Sequence, residues 1–87
     1  MVKAYILFKV SSGTERDVSK EIANFPEVLA VGVIYGEYDL IALVSVRDMK
    51  SLEEFIAEKI RSISSVLLTS TMIVAREYKG KNNRNKK

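Results

Sequence analysis

Hydrophobic and polar residues alternate from the start of the chain. Val2, Ala4, Ile6, Phe8 and Val10 fall on one side, and Lys3, Tyr5, Leu7 and Lys9 on the other. A period of two is that of a strand, so residues 2–10 are predicted to form the first one. Ser11-Ser12-Gly13 breaks the pattern. Thr14-Glu15-Arg16-Asp17 then reads as a capping box, with Thr14 satisfying free amides and the acids of the first turn facing the helix dipole. Val18, Ile22 and Phe25 follow at helical spacing until Pro26, which ends the helix because the residue before a proline is pushed out of the helical region.

Residues 28–35 are apolar on both alternate sets, Leu29, Val31, Val33 and Tyr35 against Val28, Ala30, Gly32 and Ile34. Residues 40–46 behave similarly, so both faces of these two strands call for cover. Tyr35-Gly36-Glu37-Tyr38 lies between them, and glycine at the first central position suits a type II′ hairpin turn, which makes the strands antiparallel neighbours. Asp48 is the next candidate cap, with Ser51-Leu52-Glu53-Glu54 a second capping-box match. Leu52, Phe55, Ile56, Ile60 and Ile63 then form an apolar stripe on a helix reaching about Ser62. Residues 66–76 are rich in β-branched side chains and read as the last strand.

The order is βαββαβ, the pattern of an α+β, ferredoxin-like sandwich with a four-stranded antiparallel sheet and two helices on one face. Two helices cover only one face of such a sheet. The other retains apolar surface that an ordinary monomer does not leave in water, so two sheets are expected to pack face to face in a dimeric α/β barrel arrangement.

Length and composition narrow the chemistry. Eighty-seven residues make one domain. Histidine and cysteine are absent, which removes imidazole bases, thiol nucleophiles, disulfides and nearly every structural zinc arrangement. No metal or cofactor is expected. The net charge of +3 is uneven: Lys79, Lys81, Arg84, Lys86 and Lys87 supply five of the fourteen basic residues, leaving nine against eleven acids, or −2, for the body. Residues 1–78 are therefore expected to be the folded domain and residues 79–87 a basic, flexible tail. Its five cations are the candidate nucleic-acid contacts, and the competing reading is a solvated end that aids solubility. No targeting signal or apolar run of membrane-spanning length is seen, so a cytoplasmic protein is expected.

Asp39 stands out among the acids, because it follows the turn on a strand otherwise apolar and must be hydrogen-bonded, paired or at an opening. It is expected either to accept from amides of the Gly36 loop or to hold a ligand, and the two are compatible. Thr69, Ser70 and Thr71 place three hydroxyls in the last strand, serving cross-strand pairing or a polar ligand. Tyr35 and Tyr38 flank the turn and read as apolar plugs rather than catalytic phenols. An RNA platform on a ferredoxin-like sheet needs aromatics on its central strands beside basic residues, and that signature is missing.

Three runs together, Pro26-Glu27-Val28, Val33-Ile34-Tyr35-Gly36-Glu37-Tyr38-Asp39-Leu40, and Val66 with Thr69 and Thr71 ahead of Ile73-Val74, resemble the effector-binding half of the Lrp/AsnC transcription regulators, the RAM module. The resemblance covers roughly residues 2–79. It implies a dimer through facing sheets, and rings of dimers that bind free amino acids at the contacts between dimers. Gly36, Tyr38 and Asp39, with Glu37 between them, match the family's loop motif, and Thr69 and Thr71 match the hydroxyl positions of its last strand. Regulators of the family carry a helix-turn-helix before this module, whereas this chain opens on the first strand, so a stand-alone RAM protein is expected. One departure is Ser64-Ser65-Val66, where the family usually has glycine before the valine.

The function expected is that of a non-catalytic amino-acid sensor, acting by self-assembly or by joining full-length Lrp/AsnC regulators, without direct sequence-specific DNA binding or membrane contact. Two alternatives compete: a small dimeric α/β-barrel enzyme, and a nucleic-acid accessory protein using the basic tail. The first lacks an evident acid–base pair. The second predicts binding that weakens steeply with salt.

Overall fold

The computed structural model describes residues 1–82, so Arg84, Lys86 and Lys87 of the tail lie outside the described residues. Its elements follow the order βαββαβ: β1 (Val2–Val10), α1 (Glu15–Ala23), β2 (Val28–Val33), β3 (Leu40–Val46), α2 (Met49–Phe55) and β4 (Val66–Ile73). α2 continues into a single π-helical turn, Ile56–Ile60. The strands form one antiparallel sheet in the order β2-β3-β1-β4. This is the ferredoxin-like architecture expected from the pattern.

The alternation seen in β1 decides which side is buried. Ala4, Ile6 and Phe8 are fully buried together with Leu40, Ala42 and Val44 of the adjacent β3. Val18 and Ile22 of α1, Leu52 and Phe55 of α2, then Ile60 and Ile63, close this core from the helical side. α1 lies mainly against β2, and neither helix makes more than marginal contact with β4.

Several local expectations are corrected. Thr14 precedes α1 but its side chain makes no capping bond; the hydroxyl instead donates to the Ser11 carbonyl at 2.6 Å, which tightens the loop rather than the helix. The cap of α2 is Asp48, which accepts from the Ser51 amide at 2.8 Å, so Ser51 lies inside the helix and its own capping-box match is unused. Phe25 falls just beyond α1, where it packs edge-on against Phe55 with centroids 5.8 Å apart. The end of α2 departs from α geometry: the Arg61 amide reaches back five residues to the Ile56 carbonyl. That wider turn carries Lys59 to both carboxylate oxygens of Glu27, at 3.0 Å each, and 5.5 Å from the centre of the Phe25 ring.

The middle hairpin is also wider than a two-residue type II′ turn. β2 ends at Val33 rather than Tyr35, and the last bond joining the two strands runs from the Ile34 amide to the Asp39 carbonyl, leaving a longer loop. β4 ends at Ile73 rather than Arg76; beyond it the Val74 amide still reaches the Lys3 carbonyl, and Lys3 pairs with Glu77 at 3.1 Å.

Candidate functional site

The loop between β2 and β3 is held at its base and open at its tip. Asp39 is tied in three ways: its amide donates to the Phe8 carbonyl at 2.8 Å, its carbonyl accepts from Ile34, and its carboxylate accepts from the Val10 amide at 3.0 Å. The regular pairing of β1 with β3 ends at Phe8 and Leu40, so the Val10 amide just beyond it has no ladder partner, and the Asp39 carboxylate satisfies that donor. The expectation that Asp39 accepts from amides of the Gly36 loop is corrected, since its partner is on β1. The reason is topological: β1 is the strand next to β3, and its end lies beside Asp39.

Lys9 was not singled out from the sequence, yet its ammonium donates to the Glu37 carbonyl at 2.9 Å and so pins the far side of the loop. No local signal marks it, because only the pairing of β1 with β3 sets Lys9 beside this loop. Gly36 has φ +142°, a backbone region that strongly favours glycine, and nothing lies within 4 Å of the point where a Cβ would stand. Tyr38 is half-buried, but Tyr35 is fully exposed at the tip and is not the apolar plug expected.

Thr69 and Thr71 lie in the edge strand β4, opposite Phe8 and Ile6, and therefore share the helical side of the sheet with the core. Because the helices barely reach β4, Thr69 is only half-buried and Thr71 is exposed. Neither hydroxyl has a hydrogen-bond partner among the described residues. β1 separates them from the β3 end that carries Asp39, a gap of two strand spacings of about 4.8 Å. Within one subunit the sheet thus brings Gly36, Glu37, Tyr38, Asp39 and Lys9 together, and does not bring the threonines into contact with them.

The positive and negative ends of this loop suit a zwitterion. Asp39 offers its remaining acceptor capacity to an ammonium group, while Lys9 and the amides around Gly36 can meet a carboxylate. Among the described residues no three acid, histidine or cysteine side chains gather as a metal site, and no helix is long and apolar enough to cross a membrane. Of the tail cations, Lys79 and Lys81 are exposed and lie outside this loop.

On the opposite side of the sheet from the helices lies a shallow apolar depression of about 280 Å³, lined by Tyr5, Ala30, Val31, Gly32, Ile41 and Leu43. Leu68 and Met72, on the same side of β4, are about half exposed.

Comparison with known proteins bears on the family and the fold. An uncharacterised helix-turn-helix transcriptional regulator of Pyrococcus abyssi is 36% identical over 73 residues, covering 84% of this chain and 46% of the regulator. The chain spans about half the length of the curated relatives it matches. A hypothetical protein of Pyrococcus horikoshii of known structure is 41% identical, with a TM-score of 0.84 over 99% of this chain and all of its own. The same fold, at 22% identity and a TM-score of 0.82, covers 91% of this chain and 53% of a Neisseria meningitidis transcriptional regulator solved in complex with L-Met. The family model described as the Lrp/AsnC ligand binding domain matches residues 3–83, and on that match the chain belongs to the Lrp/AsnC family of transcription regulators.

Proposed function

We propose that this protein is a non-catalytic, cytoplasmic sensor of a free amino acid that modulates transcription through its own assembly or by associating with full-length Lrp/AsnC regulators. The observation that carries the reading is the loop of residues 34–39, where a carboxylate, an ammonium group and glycine-opened backbone meet at one end of the sheet. The neighbour of like fold solved with L-Met is consistent with an amino-acid ligand. Gly36, Glu37, Tyr38 and Asp39 form one part of the site. Thr69 and Thr71, open on the helical side but out of reach within a subunit, form the other part from a neighbouring subunit. A site divided in this way couples ligand binding to assembly, since the ligand binds best where subunits meet.

The unit of assembly is a dimer through the sheet face that the helices leave bare. Four strands about 4.8 Å apart and some seven residues of about 3.4 Å each give a face of roughly 19 by 24 Å. It carries Tyr5, Leu7, Ile41, Leu43, Leu68 and Met72, an apolar surface typical of an interface. Dimers then join through loops and β4 edges into a ring.

Calorimetry with a panel of amino acids, paired with light scattering behind size exclusion, tests the reading. Saturable binding of one or a few amino acids that Asp39→Ala abolishes, with a shift in assembly mass, is the expected result. Absence of binding by every amino acid, with no change in mass, overturns it.

A further inference from the structure

Three strands meet at one corner of the sheet. β1 starts there with Val2 opposite Val46 of β3, and Ala4 lies opposite Ile73 at the end of β4. The side chains placed at these ends are mostly basic: Lys3 on β1, Arg47 after β3, Lys50 in the first turn of α2, and Arg76, Lys79 and Lys81 beyond β4. The Val74 amide donates to the Lys3 carbonyl at 2.9 Å and the Lys3 ammonium to Glu77 at 3.1 Å, so the segment after β4 stays beside the start of β1. Lys3, and then Lys79, hold the Glu77 carboxyl below its usual value, which sets Lys79 at the same place.

Two acids stand among these six cations, and both are engaged. Asp48 caps α2 through the Ser51 amide, and Glu77 takes the Lys3 ammonium. Glu53 and Glu54 lie a helical turn beyond Lys50. Arg47, Lys50, Arg76 and Lys79 are exposed, and no salt bridge among the described residues involves them.

A basic run in a tail is ordinarily a solvated end. This cluster differs, because residues 1–78 hold nine bases against eleven acids and folding still gathers cations from separate stretches of sequence at one corner. At the opposite end of the sheet, Glu15, Asp17, Glu37 and Asp39 outnumber Lys9, Arg16 and Arg61. Crowded like charges repel, so the fold gains nothing from this arrangement, whereas a polyanion is drawn to it.

We propose that this corner binds the phosphate backbone of duplex DNA, with Arg47, Lys50, Arg76 and Lys79 as the contacts. The chemistry of the corner selects this polyanion. A single-stranded nucleic acid needs successive aromatics to stack on, and one exposed tyrosine, Tyr78, stands here. An anionic lipid surface needs an apolar helix face beside the cations, and α2 turns Leu52 and Phe55 into the core. Duplex phosphates require only fixed cations, and such contacts position a protein without reading sequence. The corner lies at the other end of the sheet from the loop of residues 34–39, so it is separate from the proposed amino-acid site and stands whether or not that reading holds.

The test is fluorescence anisotropy of a labelled duplex with the full chain, from about 50 to 200 mM salt, with circular dichroism to verify the fold of each variant. Neutralising four phosphates gives a slope of about −3.6 in log K against log salt, before any contribution of residues 83–87. Arg47→Gln with Lys50→Gln is expected to reduce the slope by about 1.8 and to weaken binding about ten-fold or more. Arg16→Gln with Arg61→Gln removes the same charge from the opposite end and is expected to keep the wild-type slope. Equal losses from the two pairs make net charge the cause and overturn the site. A wild-type slope after Arg47→Gln with Lys50→Gln also overturns it, and loss of binding confined to Arg84→Gln, Lys86→Gln and Lys87→Gln then assigns the contact to the tail alone. Tighter binding of single-stranded RNA of equal length, or binding of phosphatidylserine vesicles without the duplex, overturns the choice of duplex DNA. Absence of any binding at the lowest salt overturns the proposal outright.

Discussion

Asp39 has two tasks that substitution can separate. Its carboxylate satisfies the Val10 amide, and the same group is proposed to hold a ligand's ammonium. Asp39→Ala strands that amide and is expected to lower stability by about 1–2 kcal/mol in urea unfolding. Asp39→Asn keeps an oxygen acceptor and is expected to lose less stability than the alanine variant, while losing amino-acid binding equally, because the negative charge is gone. Stability equal in all three proteins contradicts the structural task. Asp48 offers a pH test. Its pKa is held below the usual aspartate value of 3.8, chiefly by the Ser51 amide it caps, then by the Ser51 hydroxyl and the charge of Arg47. A lowered folded pKa means that the cap stabilises when ionised and that this contribution is lost as pH falls through the folded value. The difference in Tm between wild type and Asp48→Ala is therefore expected to be complete above about pH 5 and to close at pH values below 3.8. A difference unchanged by pH removes the charge from the argument.

At the level of elements, the π-helical turn after α2 ties a helix end to the entry of β2. A wider turn advances Lys59 onto Glu27, and the Glu27 carbonyl in turn accepts from the Ser45 amide of β3 at 2.9 Å. Lys59→Met keeps the aliphatic stem and removes both the ion pair and the contact with the Phe25 ring. The expected loss is about 1 kcal/mol by urea unfolding, the sum of a partly exposed pair and a cation–π contact. Addition of 1 M salt is expected to narrow the gap, since the pair is not deeply buried. β1 matches its expected bounds because apolar and polar positions alternate along it, and β3, apolar on both sides, matches because Asp39 and Arg47-Asp48 bound its apolar run. Thr14 failed as a cap because a loop carbonyl, that of Ser11, competes for the same hydroxyl. The π turn left no local mark, since the stripe Leu52, Phe55, Ile56, Ile60, Ile63 fits an α-helix equally well.

For the whole molecule, the dimer proposed through the bare sheet face is testable in solution. A dimer that binds only in the folded state makes stability depend on protein concentration. Tm is expected to rise as wild-type protein is concentrated over a hundred-fold range, by calorimetry at constant salt. A Tm independent of concentration contradicts a reversible dimer. A saturating effector adds to this through mass action, by about 2.7 kcal/mol at a hundred times its Kd.

Sequence alone determined the element order, the two sides of β1 and the family resemblance, because periodicity and turn residues are local and the Gly36-Glu37-Tyr38-Asp39 run is contiguous. It also flagged Asp39, since an acid on an apolar strand needs a partner. Which partner was a tertiary matter. Val10 and Lys9 lie some thirty residues away in sequence, and only the pairing of β1 with β3 sets them beside the loop. The same holds for Thr69 and Thr71, whose side of the sheet depends on the register of β4 against β1, and a slip of one residue reverses every side chain. The basic corner gathers Lys3, Arg47 and Arg76 from the ends of three strands, so it exists only once the sheet has closed.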